Sequence, residues 1–289
     1  MTHTEKKRSA AIIFLSLHGA TRKAIDALSA SLKDNGVSTD TYNLNEFKDN
    51  PAIDKLHAMI PSYPLVILGS PTYFHHAPPV FTSFVKNMPE AGDDQAAAIL
   101  TTFGGVSSGV IQYDLAQILY DKNYRLMGGI KVLSEHSLTF QEKMPFYAGH
   151  PNESDLEAIK NFGEEISIRL KNPSGIRFNP IAFKDKPALL NFIDDHINKI
   201  ENFTWAMPRV KINAKACAGC GLCVKNCPTN NITVDRTALH GNRCTYCYGC
   251  LRICPVGAIK AFLKPAAPTV RFLAKVFAQF EEQVTQQVV

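Results

Sequence analysis

All eight cysteines of the 289-residue chain lie between Cys217 and Cys254. They form two runs of one spacing, C-x2-C-x2-C-x3-C-P, made of Cys217, Cys220, Cys223, Cys227 with Pro228, and Cys244, Cys247, Cys250, Cys254 with Pro255. The second run repeats the first at an offset of 27 residues, and the repeat extends to Ile232 and Ile259. Two intervening residues let three thiolates of one tight loop bind three corners of an iron-sulfur cube, so this spacing favours 4Fe-4S clusters.

Residues 209–262 closely resemble a two-cluster bacterial ferredoxin, and every ligand position of that family is filled. In this ligand run the fourth cysteine binds the other cluster. The resemblance therefore implies crossed ligation, with cluster 1 on Cys217, Cys220, Cys223 and Cys254, and cluster 2 on Cys244, Cys247, Cys250 and Cys227.

Two other uses of cysteine explain the pattern less well. A disulfide framework suits a short secreted chain, whereas these cysteines occupy one segment of a long one. Zinc sites usually pair two C-x2-C knuckles across a longer gap and have no use for a third cysteine at the same spacing. The cysteines also favour a reducing compartment, and we expect a cytoplasmic protein.

The positive charge of the chain is concentrated around the cysteines. Residues 209–262 carry eight Lys and Arg against one acidic residue, Asp235, whereas residues 1–208 carry 20 basic and 23 acidic residues. Two oxidised clusters at about −2 each offset roughly four of these positive charges. We therefore expect no nucleic-acid partner but a mildly basic surface on which Lys225, Arg243 and Arg252 could dock an acidic redox protein. Any one of them could equally be an ordinary surface charge.

The length of the chain predicts about two domains at roughly 150 residues each. Its composition is that of a soluble globular protein, and no apolar run reaches the roughly 20 residues that span a bilayer. The basic start followed by apolar residues 10–17 weakly resembles a secretory signal. We instead predict that this apolar run is the first strand of a fold.

The first 170 residues alternate short apolar runs with amphipathic stretches, which predicts a doubly wound α/β domain around a mostly parallel sheet. The predicted strands are 10–16, 37–44, 65–69, 96–102 and 130–136, and two predicted helices are 22–35 and 79–87. Ligands of such sheets bind beyond the carboxyl ends of the strands. Three loops rich in small and hydroxyl residues follow predicted strands there: S-L-H-G-A-T from Ser16, G-S-P-T-Y-F-H-H from Gly69 and T-F-G-G-V-S-S-G from Thr102.

In this order the three loops resemble those of a flavodoxin-type FMN domain, over residues 10–170. The family's T-x-T-G-N-T phosphate signature is matched here at Gly19 and Thr21, Ser16 keeps a hydroxyl, and His18 and Ala20 depart from it. The resemblance implies that Tyr73 or Phe74 stacks on the flavin ring and that the amides of Gly104 and Gly105 reach its edge. The implied FMN-binding residues are Ser16, His18, Gly19, Ala20, Thr21, Ser70, Pro71, Thr72, Tyr73, Phe74, Thr102, Phe103, Gly104 and Gly105.

We predict four segments: the flavodoxin-like domain at 1–170, a helical connector at 171–208, the ferredoxin domain at 209–262, and a C-terminal amphipathic helix at 263–289. The connector contains a helical stretch at 188–203. The apolar stripe of the C-terminal helix, Leu273, Phe277, Phe280, Val284 and Val288, either packs on its own chain or supports a homodimer or another partner contact.

Together the two resemblances match fusions of a flavodoxin-like domain with a two-cluster ferredoxin, which implies two 4Fe-4S clusters and FMN. The preferred function is electron transfer between the clusters and FMN, to or from a redox partner. The alternative is an FMN-dependent reductase of a small substrate or a nicotinamide, with the ferredoxin as an internal wire. A sensing module with structural clusters is a third possibility. No G-x-G-x-x-G nicotinamide fingerprint occurs, which favours the first class.

Overall fold

A computed structural model describes residues 8–47, 49–172, 175–184, 186–196, 202, 207–233, 243–264, 266–279 and 285–287, without the side chain of residue 195. Its first part is a sheet of order β2-β1-β3-β4-β5, in which all neighbours are parallel. The strands are β1 Ser9–Phe14, β2 Ser38–Asn43, β3 Leu65–Pro71, β4 Ala96–Phe103 and β5 Arg125–Leu133. The predicted doubly wound parallel sheet is confirmed.

Helices cover both faces of the sheet: α1 Ala20–Asp34, α2 Asn50–Met59, α3 Pro79–Lys86, α4 Ile111–Asp121 and α5 Glu153–Lys171. The central strands are near-continuous apolar runs because both of their faces are buried. Alternate residues of β1, such as Ile12 and Ile13, therefore join two separate cores. One core packs against α1 and α5, and the other against α3 and α4. Truncating a core side chain such as Phe162 to Ala would cost roughly 3–5 kcal/mol of stability.

The last parallel strand starts earlier than predicted. β5 begins at Arg125 rather than residue 130 and ends at Leu133 rather than residue 136. Arg125, Gly128 and Gly129 interrupt the apolar run, yet all nine residues of the strand are buried. Consequently Ser134, Glu135 and His136, which the sequence-based prediction places inside the strand, belong with Ser137 to a loop at the carboxyl edge of the sheet.

The connector holds a 3-10 turn at Pro180–Phe183 and α6 at Ala188–His196. The predicted continuation of this helix, including Ile197, Ile200 and Phe203, lies outside the described residues.

Two short helices and a two-stranded ribbon build the cysteine-rich segment: α7 Leu222–Asn226, α8 Gly249–Ile253, β6 Lys211–Ile212 and β7 Ile259–Lys260. The two helices stand at the 27-residue offset of the sequence repeat. The left-handed residue before each helix repeats at that offset as well, as Gly221 (φ 70°) and Tyr248 (φ 58°). Tyr248 adopts this unfavourable backbone while its ring is buried, and its hydroxyl donates to the carbonyl of Pro208 at 3.0 Å.

The C-terminal helix is shorter than predicted. Helix α9 spans Ala266–Phe277, and it buries Ala267, Val270 and Ala274 rather than Leu273 of the predicted stripe. Instead of a helix to residue 289, Gln286–Gln287 form β8, which pairs antiparallel with β5 and covers its open edge. Thr285 fixes this strand, since its hydroxyl accepts the Leu133 N–H at 2.8 Å. Phe280, Val284 and Val288 lie outside the described residues.

None of the helices that the structure describes is long and apolar enough to cross a membrane.

Candidate functional site

The first loop delivers a helix N-terminus to the carboxyl edge of the sheet. Gly19 adopts φ +92° as the N-cap of the 15-residue α1 and has no side chain with which to cap the helix, and the first turn holds no acidic residue. The hydroxyl of Ser16 accepts the Arg22 N–H at 3.1 Å, and the hydroxyls of Thr21 and Thr102 lie 2.9 Å apart. Free N–H groups and the positive end of the helix dipole suit a phosphate, so this end of the site fits FMN.

His18 lies at the centre of the site. Its Nε2 is 3.0 Å from the hydroxyl oxygen of Tyr73, and its Nδ1 is buried with no hydrogen-bond partner among the described residues. Burial lowers the pKa of His18 to about 3. The nearby Arg252 charge also lowers this pKa, whereas the interaction with the Cys247 backbone raises it. The ring is therefore neutral at physiological pH. A buried polar atom without a partner usually indicates a missing ligand or water.

The second loop makes a two-residue turn of unusual composition. The backbone N–H groups of Tyr73 and His76 donate to each other's carbonyls at 2.9 and 3.1 Å. Between them Phe74 (φ 49°) and His75 (φ 67°) are both left-handed, in a place where Asn-Gly is the usual pair. Each such residue costs of the order of 1–3 kcal/mol and persists only where its surroundings hold it.

The third loop carries two glycines that aromatic side chains cover. A Cβ on Gly104 would lie 2.7 Å from the His136 ring, and one on Gly105, at φ +69°, would lie 2.0 Å from the Tyr147 ring. The His136 and Tyr147 rings therefore cover the side of Gly104 and Gly105 on which a Cβ would stand.

A cavity of about 60 Å³ runs between the three loops. It is lined by nine of the predicted FMN residues: His18, Ala20, Thr21, Pro71, Thr72, Tyr73, Thr102, Phe103 and Gly104. The other five, Ser16, Gly19, Ser70, Phe74 and Gly105, do not line it. Ser70 is buried and donates its hydroxyl to the carbonyl of Pro71.

Sequence reasoning missed five lining residues: Leu17, Ser134, Glu135, His136 and Ser137. Four of them belong to the loop after β5, and three of these four fall inside the strand predicted at 130–136. The rule that ligands bind at the carboxyl ends of strands would have found them if the strand had been ended at Leu133.

The eight cysteines line two separate cavities. One is lined by Cys217, Cys220, Cys223 and Cys254, and the other by Cys227, Cys244, Cys247 and Cys250. These are the two sets that crossed ligation requires. Four thiols around one cavity are the donor set of a 4Fe-4S cluster, so the residues fit that group.

Cys227 and Cys254, the fourth cysteine of each run, accept the same kind of backbone hydrogen bond in both repeats. The Asn231 N–H donates to Sγ of Cys227 at 3.2 Å, and the Ala258 N–H, at the 27-residue offset, donates to Sγ of Cys254 at the same distance. Burial alone would raise the pKa of Cys254, but backbone N–H groups from residues 256–259 outweigh it and lower that pKa. These donors favour a thiolate, which is the form that binds iron.

Cys247 is the most deeply placed of the eight. Burial, with the neighbouring Cys244 and Cys227, raises the pKa of the Cys247 thiol to about 11. Its side chain belongs to the apolar core beside α3 and α4 of the first domain. Its backbone interacts with the His18 ring, and Tyr73 packs against the same apolar core.

Polar contacts fix the cysteine-rich segment against the site. Arg252, between Cys250 and Cys254, donates to Glu135 of the cavity wall at 2.8 Å and lies 4.2 Å above the Phe140 ring. On the other side Asn45 donates to Asn226 at 3.2 Å. The second set of cysteines therefore lies directly against the loops that form the first cavity.

Comparisons with known proteins agree with this arrangement. Residues 11–138 match the family model for NADPH-dependent FMN reductase, and residues 209–261 match the model for a 4Fe-4S dicluster domain. No curated protein matches the chain.

Similar solved structures include a flavodoxin from Archaea and flavodoxin 1 from Bacillus cereus. The first shares 16% identity at a TM-score of 0.43 and covers 57% of this chain and 99% of its own. The second shares 17% at 0.43 and covers 56% and 97%. A flavodiiron core from Synechocystis shares 18% at 0.44, and the match covers 58% of this chain and 37% of that one. No functional conclusion follows from likenesses this distant. The two family models and the fold are consistent with a fusion of a flavodoxin-like FMN domain with a 4Fe-4S dicluster domain, and they support an FMN and iron-sulfur redox protein.

Proposed function

We propose that the protein is an electron-transfer flavo-iron-sulfur protein that passes electrons between two 4Fe-4S clusters and FMN, to or from a redox partner. Cluster 1 is held by Cys217, Cys220, Cys223 and Cys254, and cluster 2 by Cys227, Cys244, Cys247 and Cys250. The clusters supply one-electron chemistry and FMN supplies both one- and two-electron chemistry. The domain limits that we assign are 1–170, 171–208 and 209–262.

The observation that carries this proposal is that Cys247 is buried in the apolar core against which Tyr73 packs, while the Cys247 backbone interacts with the His18 ring. Tyr73 lines the FMN cavity, and Cys247 lines the cavity of cluster 2. In this proposal the two redox sites are adjacent within a single chain. Fusion keeps the clusters at high effective concentration near the flavin without a tight diffusible complex.

Exposure and charge support cluster 1 as the outer site. Cys220 is exposed, whereas Cys247 is buried. Lys211, Lys215 and Lys225 of the surrounding surface are exposed too. An acidic redox protein that docks there would reach cluster 1 first, and the charges would mainly raise its association rate.

A second copy of the chain is a further candidate partner. It would pack on the exposed apolar residues Phe272, Leu273 and Val276 of α9.

The chain's own groups have distinct tasks at the flavin. The N-terminus of α1 and Thr21 bind the phosphate, and the Nδ1 of His18 offers a buried hydrogen-bonding group to the bound ligand. Tyr73 would offer its ring to the flavin, and the Arg252–Glu135 hydrogen bond holds the cysteine-rich segment against the cavity wall.

A redox experiment tests the proposal. The anaerobically purified protein is loaded with FMN and reduced with a low-potential one-electron donor while flavin absorbance is followed. Flavin reduction should be fast in the wild type and much slower in a Cys220→Ala, Cys247→Ala variant that still binds FMN. Equal rates in both proteins would show that the clusters are not the route to the flavin. Failure of the wild type to bind FMN would remove the flavin half of the proposal.

One observation favours the alternative, an FMN-dependent reductase. A second cavity, of about 510 Å³, opens on Tyr73 and is lined also by His76, Asp114, Lys86 and, beside cluster 2, Thr245. A volume of this size accommodates a small organic molecule. The family model that covers residues 11–138 is named for an NADPH-dependent activity. Rapid NADPH oxidation by the FMN-loaded protein, without any protein partner, would favour this function over the carrier.

A further inference from the structure

The connector contributes a buried ion pair to the flavin loops. Lys186 and Asp194 have fully buried side chains, and Nζ of the lysine donates to Oδ2 of the aspartate at 2.8 Å. The same Nζ donates to the carbonyl of Gly109 at 2.7 Å and to the hydroxyl of Ser107 at 3.1 Å. All three N–H bonds of the ammonium group therefore have acceptors, and two of these belong to the third flavin loop.

Asp194 contacts the second flavin loop in the same way. Its Oδ1 lies 2.8 Å from Nδ1 of His75, and its backbone carbonyl lies 2.9 Å from Nε2 of His76. Burial alone would raise the pKa of Asp194, but His75 and Lys186 outweigh burial and hold that pKa well below its usual range. An ionised carboxylate thus bridges the strained turn and the buried lysine.

Other contacts complete the enclosure of this turn. Asp114 of α4 lies 2.6 Å from Nδ1 of His76. The Val110 N–H donates to the carbonyl of His75 at 2.9 Å, and Gly109 approaches so closely that a Cβ there would lie 2.0 Å from that carbonyl oxygen. From α9 the ring of Phe277 packs 5.5 Å from that of His75. The left-handed Phe74 and His75 are thus held by the connector, by α4 and by the third loop.

Stability alone is a poor reason for this ion pair, since apolar residues of similar volume often replace buried ion pairs without loss. What apolar residues cannot do is fix two loops through directional hydrogen bonds. We infer that Lys186 and Asp194 are positioning residues of the flavin site, which hold the Tyr73–His76 turn and the Thr102–Gly109 loop in the geometry that receives the ring of FMN. This inference rests on the proposed FMN function, and it makes the connector a part of the site.

Replacing both charges separates positioning from folding. In the full chain, Lys186→Met with Asp194→Leu removes both charges and keeps the branching of each side chain. We expect an unfolding midpoint and an iron and sulfide content near those of the wild type, but an FMN Kd raised about tenfold. Hydrogen exchange of the peptides that cover residues 70–76 and 102–110 should become faster, a readout that needs no bound FMN.

A suppressor and a control make the test specific. His75→Gly, added to the charge-free variant, should restore part of the FMN affinity, because glycine adopts positive φ without being held, whereas the Thr102–Gly109 loop still lacks its lysine. The control removes a different ion pair, Arg125 and Asp94 at 2.8 Å, which lies at the opposite edge of the sheet. Arg125→Met with Asp94→Leu should leave the FMN Kd unchanged.

Several results would overturn the inference. An FMN Kd within twofold of the wild type in the charge-free variant would show that the pair does not position the loops. Equal weakening by the control pair, or no recovery with His75→Gly, would assign the effect to general destabilisation. A wild-type chain that binds no FMN contradicts instead the proposed function, and unchanged hydrogen exchange in the charge-free variant would then reject the positioning role as well.

Discussion

The hydroxyl oxygen of Tyr73 lies 3.0 Å from Nε2 of His18, and the His18 ring interacts with the backbone of Cys247. Two loops of the flavin domain and one cysteine loop therefore meet at a single hydrogen-bonded pair. Burial raises the pKa of Tyr73 well above its usual range, and with His18 neutral the contact joins two uncharged groups. A neutral pair leaves no fixed charge in this buried region of low dielectric.

Crossed ligation predicts which cluster each cysteine substitution damages. Cys227→Ala should destroy the cluster on Cys244, Cys247 and Cys250, although Cys227 is nearer in sequence to the other run, because its side chain lines the second cavity. Cys254→Ala should destroy the first cluster. Each variant should retain about four of the roughly eight irons, and low-temperature EPR of the reduced protein identifies the survivor. Loss of the cluster local to each run would contradict the crossing.

The contact between Arg252 and Glu135 should set the docking of the two redox sites. Both side chains are about a quarter exposed, so we expect only about 0.5–1 kcal/mol of coupling in a double-mutant cycle of unfolding free energies. Arg252→Met should slow electron transfer from clusters to flavin severalfold, because the domains are then held less closely. Stopped-flow reduction measures that rate.

A matched variant shows whether that effect is specific. Arg22 pairs with Glu46 at 3.1 Å on the exposed surface of the flavin domain. Arg22→Met should leave the rate unchanged while it removes an equal charge. Equal slowing by Arg22→Met would show that net charge, rather than docking, controls the reaction.

The fold and the cysteine sets could be predicted because their signals are local. Apolar runs of strand length specify β1, β3 and β4, and the spacing of eight cysteines specifies two clusters. Arg125 and two glycines interrupt the apolar start of β5, so the predicted strand is displaced towards the C-terminus and includes residues 134–136, which belong to the loop after Leu133. Lys186 had no signal at all: a single lysine looks like a surface charge, and its contacts to Ser107 and Gly109 bridge more than 70 residues of sequence.

His136 predicts a pH dependence of stability. Burial lowers the pKa of His136 to about 4 from the ordinary value of 6.5, and its Nδ1 accepts the Leu138 N–H at 3.2 Å. Below pH 6.5 the unfolded chain binds a proton that the folded chain refuses, so stability is lost as the pH falls from 6.5 towards 4. The slope contributed by this residue is at most about 1.4 kcal/mol per pH unit.

Urea unfolding of the wild type between pH 7 and 5 measures this slope. His136→Phe and His136→Gln cannot titrate, so both should show a flatter dependence than the wild type. A slope that neither substitution changes would mean that another group controls the loss of stability.

The cover of Tyr147 over Gly105 predicts a change in FMN binding. Because the Tyr147 ring covers Gly105 in the third loop, Tyr147→Ala should raise the association rate of FMN about threefold or more. Gly105→Ala should instead destabilise the protein by about 1–3 kcal/mol, since its Cβ would meet that ring and its φ of +69° suits glycine. Stopped-flow quenching of FMN fluorescence gives the rates, and thermal unfolding gives the stabilities.

Combining the two substitutions should relieve the steric part of the Gly105→Ala destabilisation and leave the part that comes from the positive φ. If Tyr147→Ala slowed FMN association instead, the tyrosine would be a binding contact for the flavin rather than its cover.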